Sequence, residues 1–475
     1  MTTRSTPGGG ALQAPPTKDR MSATRETLKR LLVALILALL GVVLYSRLVP
    51  AETAAVREQL LGFPDSDAMA HWARPVILGG LCFLPAIAAL LYASGGTLAR
   101  YMAREFLGIL AICFAALFLV WLLQDLENNL SDLRESKHLM GAILKFYGTK
   151  LPFIIRELLP YALLLSLLFC LGKFSKSREI VAMIQTGRGL PRIVTPLIIS
   201  GVMAAILCAA LNYQWAPIAE GSSDQLLQEA RGSMISEATN VLYPNPGRHR
   251  LWMVETFPKN YQKGEPLLHV DVTTTRDDKT LLTRMTAERA HWNRKDRSWT
   301  FDNATIGHFE PDQAPTFEQM TEPFVERSWA ETPSQLIKPG LSAPFLGIPD
   351  LNSWLQANAA NGKPLKTAPY LTQWHYRWAQ PLICLVTVLL AAPLGIHFSR
   401  RGSTGGVTMA VALSGALVFL TTVSMALGEA EKLPPAIAAW LPNIVFAVLG
   451  IFLFHRRMAG RPIYQSLLKL FPGGN

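Results

Sequence analysis

Three short stretches of this chain hold residue types that could do chemistry: Arg156-Glu157, His375-x-Arg377, and the run from Ser177 to Gly187. Arg156 and Glu157 stand inside an apolar run, where an isolated charge is costly. They read either as an internal ion pair or as a contact for a charged headgroup. His375 and Arg377 lead into another apolar run, and read either as a topology anchor or as a contact for an anionic headgroup. Ser177 is a suitable helix N-cap, Glu179 an acid for the first turn, and Gly187 a residue that can end a helix in left-handed geometry. Ile180, Val181, Met183 and Ile184 give that helix an apolar side. It either rests on lipid headgroups or docks in a groove of a partner, where Glu179 would pair with an arginine.

Enzyme chemistry finds little support. The nine histidines show no HExxH or similar metal spacing, and no G-x-S-x-G occurs. No apolar run holds the Asp/Glu pair expected of proton coupling. Without a G-x-x-x-x-G-K-[ST] loop, this chain is expected to bind no nucleotide or other cofactor itself. Cys82, Cys113, Cys170, Cys208 and Cys384 all fall in apolar runs and form no CxxC, which reads as buried inert thiols.

The elements that must position these residues are membrane spans. Half of the 475 residues are hydrophobic and 17% are charged. The apolar residues gather in eight runs long enough to cross a hydrocarbon layer of roughly 30 Å: Leu31–Ser46, Val76–Ala93, Phe106–Leu123, Leu151–Gly172, Ile193–Leu211, Trp378–Ile396, Val407–Gly428 and Ala436–Phe454. The net charge of +11 sits beside these runs, as topology signals and lipid contacts require, and not as a nucleic-acid footprint. Arg100, Arg104, Lys173, Lys176, Arg178, Arg188, Arg192, Arg400, Arg401, Arg456, Arg457 and Arg461 fall on one side, which predicts two cytoplasmic termini.

Between the fifth and sixth runs the texture changes. Gln214 to Gly232 reads as a helix, then Arg250–Phe257, Pro266–Thr275, Thr280–Trp292 and Trp299–Phe309 read as strands separated by turn signals. Such a pattern predicts an antiparallel sandwich or jelly roll. Asp350–Ala359 reads as a short interfacial helix. The fold class is therefore a polytopic α-helical membrane protein with an inserted all-β domain. The expected divisions are a disordered tail (1–30), a first pair of spans (31–97) and a first transmembrane half (98–215) carrying the short helix 177–187. A β domain (216–345), a connector (346–377), a second transmembrane half (378–457) and a tail (458–475) complete the chain.

Lys173 to Gly189 resembles the E-[IL]-V-x-[ML]-x-x-x-G loop of the lipopolysaccharide-export permeases, the LptF/LptG family. His375-Tyr376-Arg377-Trp378-Ala379-Gln380-Pro381 is similar to that family's H-x-R-x-x-x-P. Ala392-Pro393-Leu394-Gly395 with Ser399-Arg400-Arg401-Gly402 resembles the exit of the same span. Leu433-Pro434-Pro435 with Trp440-Leu441-Pro442-Asn443 resembles its L-P-P…W-x-P-N. With Asn212…Pro217, the likeness runs from about Leu98 to Arg457.

The resemblance implies an inner-membrane permease subunit with a periplasmic jelly roll, paired with a second permease, either a copy or a paralogue. It implies a separate cytoplasmic ABC ATPase dimer that holds the ATP and Mg, docked on Ser177, Arg178, Glu179, Ile180, Met183 and Gly187. Lipopolysaccharide or a related amphiphile would pass between the helices, then through the β domain to periplasmic jelly-roll bridge proteins. Candidate headgroup contacts are Arg134, Lys137, Arg156, His375 and Arg377. Pro381, Pro393, Trp440, Pro442 and Asn443 are candidate structural or gating residues. The family has six spans, so the first pair here is additional. Trp121–Asn129 holds Asp125 and Glu127 but none of the basic residues the family often has there, and Gln373 stands where the family usually has Glu. A non-transporting envelope scaffold and an ion-coupled lipid transporter are the rival readings.

Overall fold

The computed structural model describes residues 17–459 apart from 63–66, 135–138, 188, 231–235, 246–247, 260, 262–263, 277–279, 294–295, 311–313, 330, 338–339, 361–366 and 397–403. Lys137, Arg188, Arg400, Arg401 and Arg461 lie outside the described residues.

Each expected apolar run lies, to within a residue at its ends, inside a helical span long and apolar enough to cross a membrane, and there are eight such spans among the described residues. The helices are α1 (Thr17–Gly62), α2 (Ala68–Ser94), α3 (Thr97–Arg134), α4 (Leu139–Lys176), the short α5 (Glu179–Gln185) and α6 (Leu190–Tyr213). After the β domain come α10 (Ala368–Ala379), α11 (Ile383–Gly395), α12 (Thr404–Glu429) and α13 (Pro435–Met458). A 3-10 turn at Gln380–Leu382 joins α10 to α11, so one span is built from two helices. Residues 17–30, expected to be disordered, are helical. Five of these fourteen residues are Lys or Arg, good helix formers that extend the span's own hydrogen-bond ladder.

Burial sorts the spans. In α4 and in the α10–α11 span, 72% of the most apolar window is buried, against 11% in α3. The centre of the bundle is therefore α4, α6 and α11, packed through Leu163, Leu167, Val194, Leu197, Leu390 and Ala391. Glycine permits the close approaches: a Cβ on Gly201 would lie 2.5 Å from Val388, and one on Gly395 would lie 2.8 Å from that of Leu171.

The inserted domain comprises α7 (Trp215–Ala230), eight strands, α8 (Pro333–Ile337) and α9 (Ile348–Ala360). The strands are β1 (Ser236–Asn245), β2 (Arg250–Pro258), β3 (Leu267–Thr275), β4 (Leu281–Asn293), β5 (Ser298–Asp302), β6 (Thr305–His308), β7 (Thr316–Gln319) and β8 (Phe324–Glu326). All pairings are antiparallel, in the order β1-β2-β3-β4-β5-β8. Short turns make sequential pairing the easy choice. The expected run Trp299–Phe309 divides at Asn303, whose φ of 53° breaks the strand. Its halves pair with opposite ends of β4, β5 at 289–293 and β6 at 283–286, and so fork the sheet. Alternation along β2 sends Trp252 and Val254 inward, and a change of phase near the strand's end buries Phe257; Trp252 meets Trp299 at 5.1 Å. Glu331, 3% exposed, accepts from Arg250 at 2.8 Å and Asn245 at 2.9 Å beneath that core.

Candidate functional site

Prolines inside spans remove an N–H and free the carbonyl four residues earlier. In hydrocarbon that carbonyl needs a new donor. Pro381 frees the carbonyl of Arg377, and Asn212 Nδ2 of α6 donates to it at 2.6 Å. Pro442 frees that of Ala438, which accepts from Ser424 Oγ of α12 at 2.6 Å. Pro160 frees that of Arg156, where the Cys208 thiol lies 3.9 Å away. The 3-10 turn leaves the Ala379 carbonyl to Asn443 Nδ2 at 2.6 Å. The broken helices are thus cross-tied by their neighbours. Arg377, Pro381, Pro442 and Asn443 stand in one polar seam at the end of the bundle nearest the β domain, which gives the H-x-R-x-x-x-P and W-x-P-N patterns a shared physical role.

Asn212 sits at the middle of this seam, fully buried. Its Oδ1 accepts from Arg377 Nη1 at 3.2 Å and from Arg156 Nη1 at 3.4 Å, so one neutral amide bridges two cations. Arg156 also reaches Glu157 at 3.3 Å and lies 4.8 Å from the centre of the Phe153 ring. Arg377 Nη2 donates to the carbonyl of Pro344. Arg377 was expected at the outer membrane face. It is 3% exposed, because its donors are turned inward to Asn212 and Pro344. Arg156 instead borders a cavity of about 120 Å³ with Glu157, Tyr161, Tyr376, Thr421 and Thr422. His375 is half-buried, edge-on to Trp374 at 4.9 Å, while Arg134 is exposed at the end of α3. Trp440 is half-buried in the first turns of α13. Gln373 donates to Glu429 at 2.7 Å.

At the opposite end of the bundle, α4 runs to Lys176 and α5 starts at Glu179. Ser177 is not the N-cap. That place belongs to Arg178, in left-handed geometry at φ 60°, because Ser177 is still bound to the end of α4 through the Lys173 carbonyl at 3.1 Å. The Ser177 hydroxyl also lies 2.7 Å from Glu179 Oε1, while Tyr101 donates to Glu179 Oε2 at 3.0 Å. Ile180 and Met183 do not face outward. They are buried in the core shared with α4, α6 and α11, since a seven-residue helix needs a packed side to persist. The outward positions are Ala182, Ile184 and Gln185. Gly187, at φ 81°, turns the chain after α5 and its N–H donates to Ile184 at 2.9 Å. The end of α11 is held at the same place. Its Pro393 carbonyl accepts from Arg457 Nε at 2.9 Å, and its Gly395 carbonyl from Ser175 at 3.4 Å.

Sequence reading missed Ser424 as a donor and the inward use of Ile180 and Met183. The first has a usable signal, since a freed carbonyl four residues before a proline calls for a polar side chain on a neighbouring span. No group of three or more His, Cys, Asp or Glu that could hold a metal occurs among the described residues.

No individually curated protein matches the chain. The family described as "Lipopolysaccharide export system permease LptF/LptG" matches residues 100–456, three quarters of its length and all six spans after the first pair. The chain belongs to the LptF/LptG family of lipopolysaccharide-export permeases.

Proposed function

We propose that this chain is the transmembrane subunit of an ABC exporter that extracts lipopolysaccharide, or a related amphiphile, from the inner membrane and passes it through the β domain toward the outer membrane. Membership of the permease family supports a transport subunit. The observation that carries the reading is α5. It lies at the end of the bundle away from the β domain, rooted in the central core by Ile180 and Met183, with Ala182 and Gln185 turned outward. A pull on α5 reaches α4, α6 and α11 directly. A cytoplasmic ATPase dimer supplies that pull, with ATP and Mg bound on the partner. Glu179 retains acceptor capacity for a partner arginine beyond the bonds from Tyr101 and Ser177.

In this reading α5 and both termini are cytoplasmic, beside Arg100, Arg104, Lys173, Lys176, Arg192, Arg456 and Arg457, and the β domain is periplasmic. A second permease, copy or paralogue, completes the path, and periplasmic jelly-roll bridge proteins receive the lipid from the β domain. Arg156, at the cavity between α4 and α12, meets the headgroup there, whereas Arg377 holds the seam. Arg134, at the end of α3, adds basic charge near the same end.

Affinity isolation from native membranes tests this. The chain should bring an ATPase with it, and Glu179→Arg or Gln185→Arg should remove the ATPase, Gln185→Arg without changing the chain's thermal unfolding. A complex that ignores both substitutions would overturn the mechanism.

A further inference from the structure

The additional pair α1–α2 is tied to the bundle by side-chain bonds at one end and by the chain itself, through Gly95-Gly96 into α3, at the other. Near the β domain, Tyr213 donates to the Ala70 carbonyl at 2.8 Å, the Asp67 N–H to Ser353 at 3.0 Å, and Gln59 to Asp350 at 3.3 Å. Between these ties a cavity of about 640 Å³ opens among α2, α3 and α6, reaching as far as Gly95 and Gly96. Leu84, Leu91, Leu107, Leu159, Ile199 and Met203 line it. A space this apolar offers water no partners. Along α6 it extends from Arg192 to Leu207, roughly 22 Å at 1.5 Å per residue. That exceeds the ~15 Å that one leaflet contributes to the hydrocarbon core.

The charge in this cavity is confined to one end. Arg100 and Arg192 border it there, and no carboxylate lines it among the described residues. Neither arginine has an ion-pair partner among the described residues, although Lys173 nearby in sequence pairs with Glu105 at 2.5 Å. A long apolar slot capped by two unpaired cations matches one acyl chain beneath one anionic headgroup.

We propose that α2, α3 and α6 form a binding site for a resident anionic glycerophospholipid, its phosphate held by Arg100 and Arg192 and one acyl chain filling the cavity. The lipid cements the additional pair to the family core. This site includes α2, outside the family match, and is independent of the transport path proposed above.

The test is native mass spectrometry of the full chain, isolated with its partners and stripped of lipid, titrated with phosphatidylglycerol or phosphatidylcholine. One phosphatidylglycerol should bind per chain, at least tenfold tighter than phosphatidylcholine. Arg100→Gln with Arg192→Gln should erase that preference, and Ala103→Trp, which fills the cavity, should abolish retention without lowering the unfolding temperature. Should Ala103→Trp not fold, the arginine pair alone decides. Equal affinity for both lipids, an unchanged preference in the double variant, or a lipopolysaccharide or partner-protein helix found in the cavity would overturn the proposal.

Discussion

Asn212→Leu is the perturbation that most sharply tests the cross-tied prolines. The substitution keeps the branching at Cγ but removes the donor to the Arg377 carbonyl at 2.6 Å and the acceptor shared by two guanidinium groups. Interhelical hydrogen bonds in membranes contribute about 0.6 to 1.7 kcal/mol each, so three lost bonds cost about 2–5 kcal/mol. In thermal unfolding followed by tryptophan fluorescence in detergent, that corresponds to a drop of roughly 2–5 °C for a chain of this length. Asn212→Asp keeps the acceptor and adds a negative charge between the arginines, so it should fall between the native chain and Asn212→Leu. The decisive arm is Pro381→Ala in the Asn212→Leu background. Alanine restores an N–H four residues after Arg377, which can satisfy the orphaned carbonyl from within the helix and recover about 1 kcal/mol. If the double variant loses stability as the simple total of the two single changes, the carbonyl is not what Asn212 serves, and the reasoning fails.

The same logic makes Ser424→Ala costly by about 1 kcal/mol, rescued by Pro442→Ala, and a double-mutant cycle of unfolding temperatures measures the coupling. In the β domain, Glu331→Ala should cost about 3–5 kcal/mol, because it leaves the buried Arg250 unpaired. Asp271→Asn removes the charge that the exposed Arg284 meets at 2.6 Å and should cost under about 1 kcal/mol, so chemical denaturation should rank the two far apart. Asp350→Leu removes bonds from Gln59 and Gln214 and should raise hydrogen exchange over residues 67–75 severalfold while sparing β2 and β3.

Hydropathy made the spans legible because a bilayer demands about twenty apolar residues in a row. It did not set their ends, since helix continues past the hydrocarbon in α1 and α3 wherever propensity permits. The β domain announced itself through β-branched runs and polar turns in β2, β3 and β4. Strands β7 and β8 did not: Thr316–Gln319 is exposed throughout, and three residues of β8 are too few for alternation to show. Arg377 was misjudged for a different reason. A basic residue before an apolar run normally marks an interface, and what drew it inward was Asn212, 165 positions away in the chain. Ile180 and Met183 were visible as apolar, but a single helix cannot tell its own core from a partner's groove.

Photo-crosslinking from α5 in native membranes addresses the driving mechanism most directly. A photoreactive residue at Gln185, exposed on α5, should capture a nucleotide-binding protein, and one at Val325 on β8 should not. Capture of that protein from Val325, or labelling of position 185 by a membrane-impermeant reagent applied from outside, would contradict a permease worked through α5 from the cytosol.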